Sequence, residues 1–287
     1  MAQQGQKTNY TQGYSNCTVA THQSRTAESD AAFLVPHIKK TDHILDVGCG
    51  PGTITTSLAE YASEGNIIGI DVSQEILERA KKLASEAGVP IQGPGSVVFV
   101  QGNVLDGLPY LDDTFDIVYC SQLFSHLPPP DMPVRALTEM RRILKPGGIL
   151  ASRDAADQHF YPRSLDLDRL WVENSTRALR KGAPPQADRS TAGARMPALF
   201  RSVGFDAGGG KVHVGAGTTV FSGAKGREWL AWRGTGQLQQ GDPFYQSWLD
   251  AGITEDEIQQ TRLAVEKWAA TDDAWYAALQ CEMLAWK

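Results

Sequence analysis

Residues 45–53, LDVGCGPGT, constrain this chain more than any other stretch. They complete a short apolar run, HILDV at 43–47, which ends in three glycines at alternate positions, Gly48, Gly50 and Gly52. Glycines between a strand and a helix let backbone approach a ligand that a Cβ would hold off. The pattern then repeats. Thr53 to Ser63 places Ile54, Leu58 and Tyr61 on one helical face, and NIIGID (66–71) is a second strand. Ser73 caps the helix SQEILERAKKLASEAG, whose Ile76, Leu77, Ala80, Leu83 and Ala84 form one stripe before Gly88 stops it. SVVFVQ (96–101), FDIVYCS (115–121) and GILASRD (148–154) are nearly all apolar, as strands are when helices cover both faces. Between the last two a helix ends at RRILKPGG, halted by Pro146 and its glycines.

Beyond residue 154 the character changes, and all seven tryptophans lie beyond residue 170. SLDLDRLWVENSTRALR and TAGARMPALFRSVGF predict helices, KVHVGAGTTVFSG a strand, residues 224–270 mainly helix, and the tail YAALQCEMLAWK a last strand. The whole predicts an α/β fold: a doubly wound, mostly parallel, Rossmann-like seven-stranded sheet with helical insertions in the C-terminal half. We divide it into an N-terminal lid (1–40), a ligand-binding core (41–154) and the remaining strands with substrate-binding insertions (155–287), in one domain. Insertions beside the carboxyl ends of the strands build the ligand pocket in such a sheet.

A net charge of −6 argues against a nucleic-acid partner. No apolar run reaches membrane-spanning length, and MAQQGQKTNYTQGYS lacks the apolar stretch of a secretory signal. Cys17, Cys49, Cys120 and Cys281 are scattered, without CxxC or zinc spacing, so reduced thiols in a cytoplasmic protein are expected. Asp154 and Asp157 have no third ligand at a suitable spacing, and no metal is expected.

The glycine spacing departs from the dinucleotide fingerprint G-x-G-x-x-G, because Thr53 stands where the third glycine would fall. Asp71, closing the second strand, suits the ribose of any adenosine ligand. Asp46, two residues before the loop, disfavours a pyrophosphate and suits a cation such as the sulfonium and ammonium of S-adenosylmethionine. LDVGCGPGT, IIGIDVS, GNVLDGLPYLDDTFDIVYC and RRILKPGGIL, in this order, resemble the successive motifs of class I S-adenosylmethionine-dependent methyltransferases over roughly residues 20–154. The branch they resemble more narrowly is that of the ubiquinone and menaquinone C-methyltransferases. That resemblance implies S-adenosylmethionine as cofactor, with Gly48 and Gly50 against its methionine part and Asp46 orienting the loop or reaching the ammonium. It implies Asp71 on the ribose hydroxyls, Val72 and Val104 at the adenine, and the Ser121 carbonyl on the ammonium. Asn103 stands where the family often has Asp; it is an adenine contact or a turn residue. In the family the segment before the first strand folds over the cofactor, which makes Arg25 a candidate for the methionine carboxylate and Tyr14 and His22 further candidates.

Methyl transfer needs alignment more than a catalytic group, and a base only for reluctant nucleophiles. Candidate bases lie after strand ends: His126 in SQLFSHLPPP, and Asp154, Asp157 and His159 in SRDAADQHFYP. Phe160, Tyr161, Trp229 and Trp232 are candidates for lining a pocket for a bulky, apolar small molecule, or for packing the insertion's own core. SQLF replaces the NPPY-like tetrapeptide of enzymes that methylate base or amide nitrogens. The opening YTQGYSNCTVATHQSRTAES and the Trp-rich second half are similar to fungal secondary-metabolism members of this branch, among them the S-methyltransferases of gliotoxin-type epidithiodiketopiperazines. The likeness implies successive methylation of a reduced dithiol, a detoxification; a C- or O-methyltransferase of a quinone or polyketide, and a cofactor-binding regulator, stay open beside it.

Overall fold

The computed structural model describes residues 10, 12–184, 190–206 and 208–287. Two short helices, α1 (Asn16–Gln23) and α2 (Ala27–Asp30), precede the sheet. Then follow β1 (His43–Val47), α3 (Thr53–Leu58), β2 (Asn66–Asp71), α4 (Gln74–Glu86), β3 (Ser96–Gln101), β4 (Phe115–Ser121), α5 (Asp131–Ile143) and β5 (Leu144–Tyr161). The second half holds α6 (Asn174–Leu179), α7 (Ala192–Ser202), β6 (Val212–Phe221), α8 (Gly223–Gln237), α9 (Pro243–Asp250), α10 (Glu255–Ala269) and β7 (Trp275–Trp286). The strands form one sheet in the order β3-β2-β1-β4-β5-β7-β6, parallel but for β7, which runs against both neighbours. Winding proceeds outward from β1 to β3 and, in the other direction, from β4 onward. The crevice of such a sheet therefore opens at the carboxyl ends of β1 and β4.

Alternate residues of the central strands feed opposite layers. Leu45, Val47, Val118 and Cys120 face α5 and α7, while Ile44, Ile67, Ile117 and Tyr119 face α2, α3 and α4. A third core lies beyond the sheet proper, where Phe160, Trp171, Trp248, Trp268 and Tyr276 pack among the inserted helices. It exists because β5 does not stop at residue 154. Residues 155–161 continue as strand and pair with Trp275–Gln280 of β7. That extension leaves the helical layers, so its polar DAADQH stretch reads as loop although it is sheet.

Two further boundaries differ from expectation. The helix predicted to Ser63 ends at Leu58, where Glu60 and Tyr61 donate to carbonyls three residues back and the coil tightens. The segment SLDLDRLWVENSTRALR splits into a π-helical turn, Asp168–Glu173, and α6. No helix among the described residues is long and apolar enough to cross a membrane.

Candidate functional site

The glycine loop is held from beneath by β2: the N–H groups of Gly48 and Cys49 both donate to the Ile70 carbonyl, at 2.8 and 2.9 Å. Gly52, at φ +76°, is where a Cβ would meet the Phe99 ring at 2.6 Å and Ala80 at 2.8 Å. It performs the helix-to-strand packing for which the dinucleotide motif uses a later glycine. Gly50, at φ +54°, has nothing within 4 Å of a would-be Cβ, so its backbone fronts open space. Asp71 accepts from the N–H groups of Gly50 and Ser73, each at 3.0 Å, and lies 3.5 Å from the Tyr14 hydroxyl. Asp46 accepts from Thr55 Oγ1 at 2.6 Å, and burial pushes its carboxyl up to about 7. It ties β1 to α3 rather than presenting a full charge near neutral pH.

Above the loop is a cavity of about 380 Å3, within the usual size of a small-molecule site. Asp46, Gly48, Gly50, Asp71, Val72, Asn103 and Val104 line it. Ser121 and His126 line it as well, together with Tyr14, His22 and Arg25 of the N-terminal segment. The structure thus gathers every residue expected around a cofactor. Asn103 spends its side chain locally, accepting from Leu105 N–H at 3.0 Å and donating to Asp106 at 3.0 Å. The N-terminal segment is docked by Thr53 Oγ1 donating to the His22 carbonyl (2.9 Å) and by Gln237 Nε2 donating to Thr18 Oγ1 (2.7 Å). Gly236 of α8 lets α1 come close, since a Cβ there would lie 2.4 Å from Cys17 Sγ.

A second cavity of about 390 Å3 adjoins the first and shares His22, Arg25, Gln122 and His126 with it. Gln122 stands at the junction at φ +56°, a left-handed conformation costing about 1–3 kcal/mol in a residue with a Cβ. Its Nε2 donates to Gln280 Oε1 at 2.8 Å, across from β4 to β7. Arg153 and Arg233 line this cavity together with Tyr276. Arg153, 3% exposed, is held by Asp30 at 2.8 Å and Glu282 at 3.2 Å. Burial lowers the His126 imidazole to about 4 and also lowers His22 well below its ordinary value, with nearby arginines adding to both. Both rings are therefore neutral at physiological pH.

Several expected residues lie elsewhere. His159 bonds Asp168 at 2.8 Å and Asp157 at 2.9 Å on the outer side of the β5 extension, with Arg163 also on Asp168, and lines neither cavity. It is corrected from candidate base, with Asp157, to surface ion cluster. Asp154 is fully buried beneath the turn that carries His126, its Oδ1 accepting from Phe124 N–H (3.1 Å), Ser125 N–H (3.3 Å) and Ser125 Oγ (3.2 Å). It positions that turn. The aromatic lining is corrected too. Phe160 is in the inserted core, Tyr161 stacks on Trp275, Trp229 stacks on Phe221, and Trp232 is 49% exposed. Large rings filled a core that the sheet could not supply.

Arg233, Gln122, Gln280 and Tyr276 escaped the sequence reading. For Arg233 a signal was present: Leu230, Arg233, Gly234 and Gln237 share one helical face, so this arginine points inward. The others sit at strand positions far apart in sequence.

Asp154 has a measurable consequence. Burial raises its carboxyl from an ordinary 3.8 to about 7, so between those values the folded state keeps a proton that the unfolded chain releases. Its contribution to stability therefore falls as pH rises from about 4 to 7. Asp154→Asn keeps an acceptor for the same donors and does not ionise. Urea denaturation should find it more stable than the parent above pH 7, with the difference vanishing near pH 4; a constant difference across that range would refute the buried neutral carboxyl.

Residues 44–148 match the family model described as a methyltransferase domain. The chain is 64% identical to the probable methyltransferase ltbC of Aspergillus luteorubrus, over the full length of both. It is 34% identical over 225 residues to an uncharacterized methyltransferase of Schizosaccharomyces pombe, covering 77% of each chain. The fold is similar to that of the YcgJ protein of Bacillus subtilis, with a TM-score of 0.55 at 18% identity, covering 90% of this chain and 97% of that one.

Proposed function

Because the chain belongs to the S-adenosylmethionine-dependent methyltransferases, we propose that it methylates sulfur in a small molecule, taking in turn the two thiols of a reduced epidithiodiketopiperazine. The residues of the first cavity suit the methyl donor. In this reading Asp71 takes the ribose hydroxyls, Val72 and Val104 the adenine, the Ser121 carbonyl the ammonium and Arg25 the carboxylate, all five residues lining that one cavity. The open space before Gly50 is where backbone would meet the methionine part. When bound, S-adenosylmethionine supplies a methyl on a sulfonium, which the acceptor's electron pair takes as the bond to the donor sulfur breaks.

The observation that carries the choice of sulfur is the second cavity's chemistry: neutral, weakly basic His126 and His22 beside the guanidinium of Arg233. A phenol, with a pKa near 10, asks for a stronger base than an imidazole lowered to about 4. A thiol, with a pKa near 8.5, ionises on its own when cations stand close. The chain's task is then to align the thiolate with the methyl, a contribution of about 7–11 kcal/mol where orientation is good. The likeness of the N-terminal segment and the second half to fungal dithiol S-methyltransferases supports the same acceptor.

Mass spectrometry of a panel incubated with S-adenosylmethionine tests this: a reduced epidithiodiketopiperazine, a simple phenol and a quinol. One and then two methyl additions on the dithiol alone are expected. Product solely on the phenol or quinol would replace the thiol reading with O- or C-methylation.

A further inference from the structure

We propose that the second cavity is an anion-binding site in which Arg233 selects an acceptor that enters or reacts as an organic anion, its own thiolate under the methylation reading above. The identity of the occupant rests on that reading; the existence of the site does not.

Arg233 lacks a partner for its charge among the described residues. It lines the second cavity, its Nε is shut off from solvent without a hydrogen-bond partner, and no ion pair holds its guanidinium among the described residues. The same helix supplies an internal comparison. Arg227 is also turned inward, 6% exposed, yet it donates to the carbonyls of Ala269 (3.1 Å) and Asp272 (2.7 Å). Arg153, across the cavity, is neutralised by Asp30 and Glu282. Arg25 has Asp30 at 3.8 Å, but Arg153 already holds the same carboxylate oxygen at 2.8 Å. A partly buried cation without a counter-charge costs stability, and a shorter or neutral side chain would fit α8 at no such cost.

Among the described residues the surroundings supply no anionic partner. The groups facing Arg233 are Tyr10 and Arg25 of the N-terminal segment, Cys17 of α1 and Tyr276 of β7. Burial raises the hydroxyls of Tyr10 and Tyr276, so both stay neutral, and it also raises the Cys17 thiol. His22 and His126, at the mouth toward the first cavity, are neutral as well. Burial lowers Arg233 to about 10, which leaves it charged at physiological pH. Five arginines line the cavity: Arg153 is paired, Arg180 and Arg195 make contacts of their own, and Arg25 is assigned to the cofactor's carboxylate, which leaves Arg233 without a counter-charge among the described residues. An entering anion would satisfy donors that the folded chain leaves open, whereas a neutral acceptor would leave them unpaired.

The test uses 4-nitrophenol, whose phenolate is coloured, titrated with pH in excess full-length protein bearing S-adenosylhomocysteine. The wild type should shift the probe's ionisation to lower pH by about one unit, a tenfold bias toward the anion. Arg233→Gln should abolish most of that shift and Arg233→Lys retain part of it. Both variants should keep S-adenosylhomocysteine affinity within about twofold, and Arg233→Gln should melt no lower than the wild type, since it removes an unpaired, partly buried charge. With reduced dithiol as substrate, the acidic limb of kcat/KM against pH should move upward in Arg233→Gln. An unshifted probe in the wild type, or an equal shift in Arg233→Gln, overturns the site. A marked fall in melting temperature with no change in probe ionisation would make Arg233 structural and equally overturn it. A shifted probe without dithiol methylation keeps the site and removes the thiol reading alone.

Discussion

Asp71→Ala should raise the dissociation constant for S-adenosylhomocysteine at least 100-fold, the largest effect on binding expected from any single substitution here. The carboxylate does two things at once. It fastens the glycine loop by accepting from Gly50 and Ser73 N–H, hydrogen bonds to a charged group worth about 1.5–3 kcal/mol each. It also lines the first cavity, where a ribose would present its hydroxyls. Alanine removes both, so the loop loses its anchor as the ligand loses its acceptor. Asp71→Asn keeps one oxygen without the charge and should fall between, near tenfold. Calorimetric titration with S-adenosylhomocysteine decides, with a thermal melt to establish that each variant is folded. An alanine variant within threefold of wild type would mean that the first cavity does not hold an adenosine ligand in this orientation.

The residues around that cavity were legible because they are tied to the sheet's own grammar. β1, β2 and β4 are buried on both faces, so their apolar runs stand out, and the positions just after each run are the strand ends that face the crevice. Asp71, Ser121 and the glycines could be placed by counting from those ends. The acceptor side offers no such ruler. Gln122 and Gln280 meet across 158 positions of sequence, and Arg233 joins them from a helix in the insertion. Aromatic content misled, because a tryptophan's size serves an isolated core as well as a ligand wall, and here Trp171, Trp248 and Trp268 serve the core. The β5 extension was illegible for a related reason. Its DAADQH residues have one face toward solvent and draw their strand character from pairing with β7, which no local pattern records.

Just before that extension lies the largest expected loss of stability. Arg153, the last residue of β5 paired with β4, should cost about 3–5 kcal/mol when replaced by methionine. Its Nη1 donates to Asp30 at 2.8 Å, its Nε to Glu282 at 3.2 Å and its Nη2 to Thr219 Oγ1 at 3.3 Å, so one side chain links α2, β7 and β6. Methionine fills most of the volume but strands two carboxylates whose side chains are only 9% and 15% exposed. Arg25, 3.8 Å from Asp30, can recover part of one of them, and Glu282 has no such second cation beside it among the described residues. Against a total stability of about 5–15 kcal/mol the loss is large, and urea denaturation will show it as a lower midpoint. The triple variant Arg153→Met, Asp30→Asn, Glu282→Gln should recover most of it, because the penalty lies in the orphaned charges rather than in the missing pair. A single variant that loses less than about 1 kcal/mol would show the network to be slack, and the N-terminal segment would then be held over the cavities by Thr53, Ser57 and Gln237 alone among its described side-chain partners from α3 and α8.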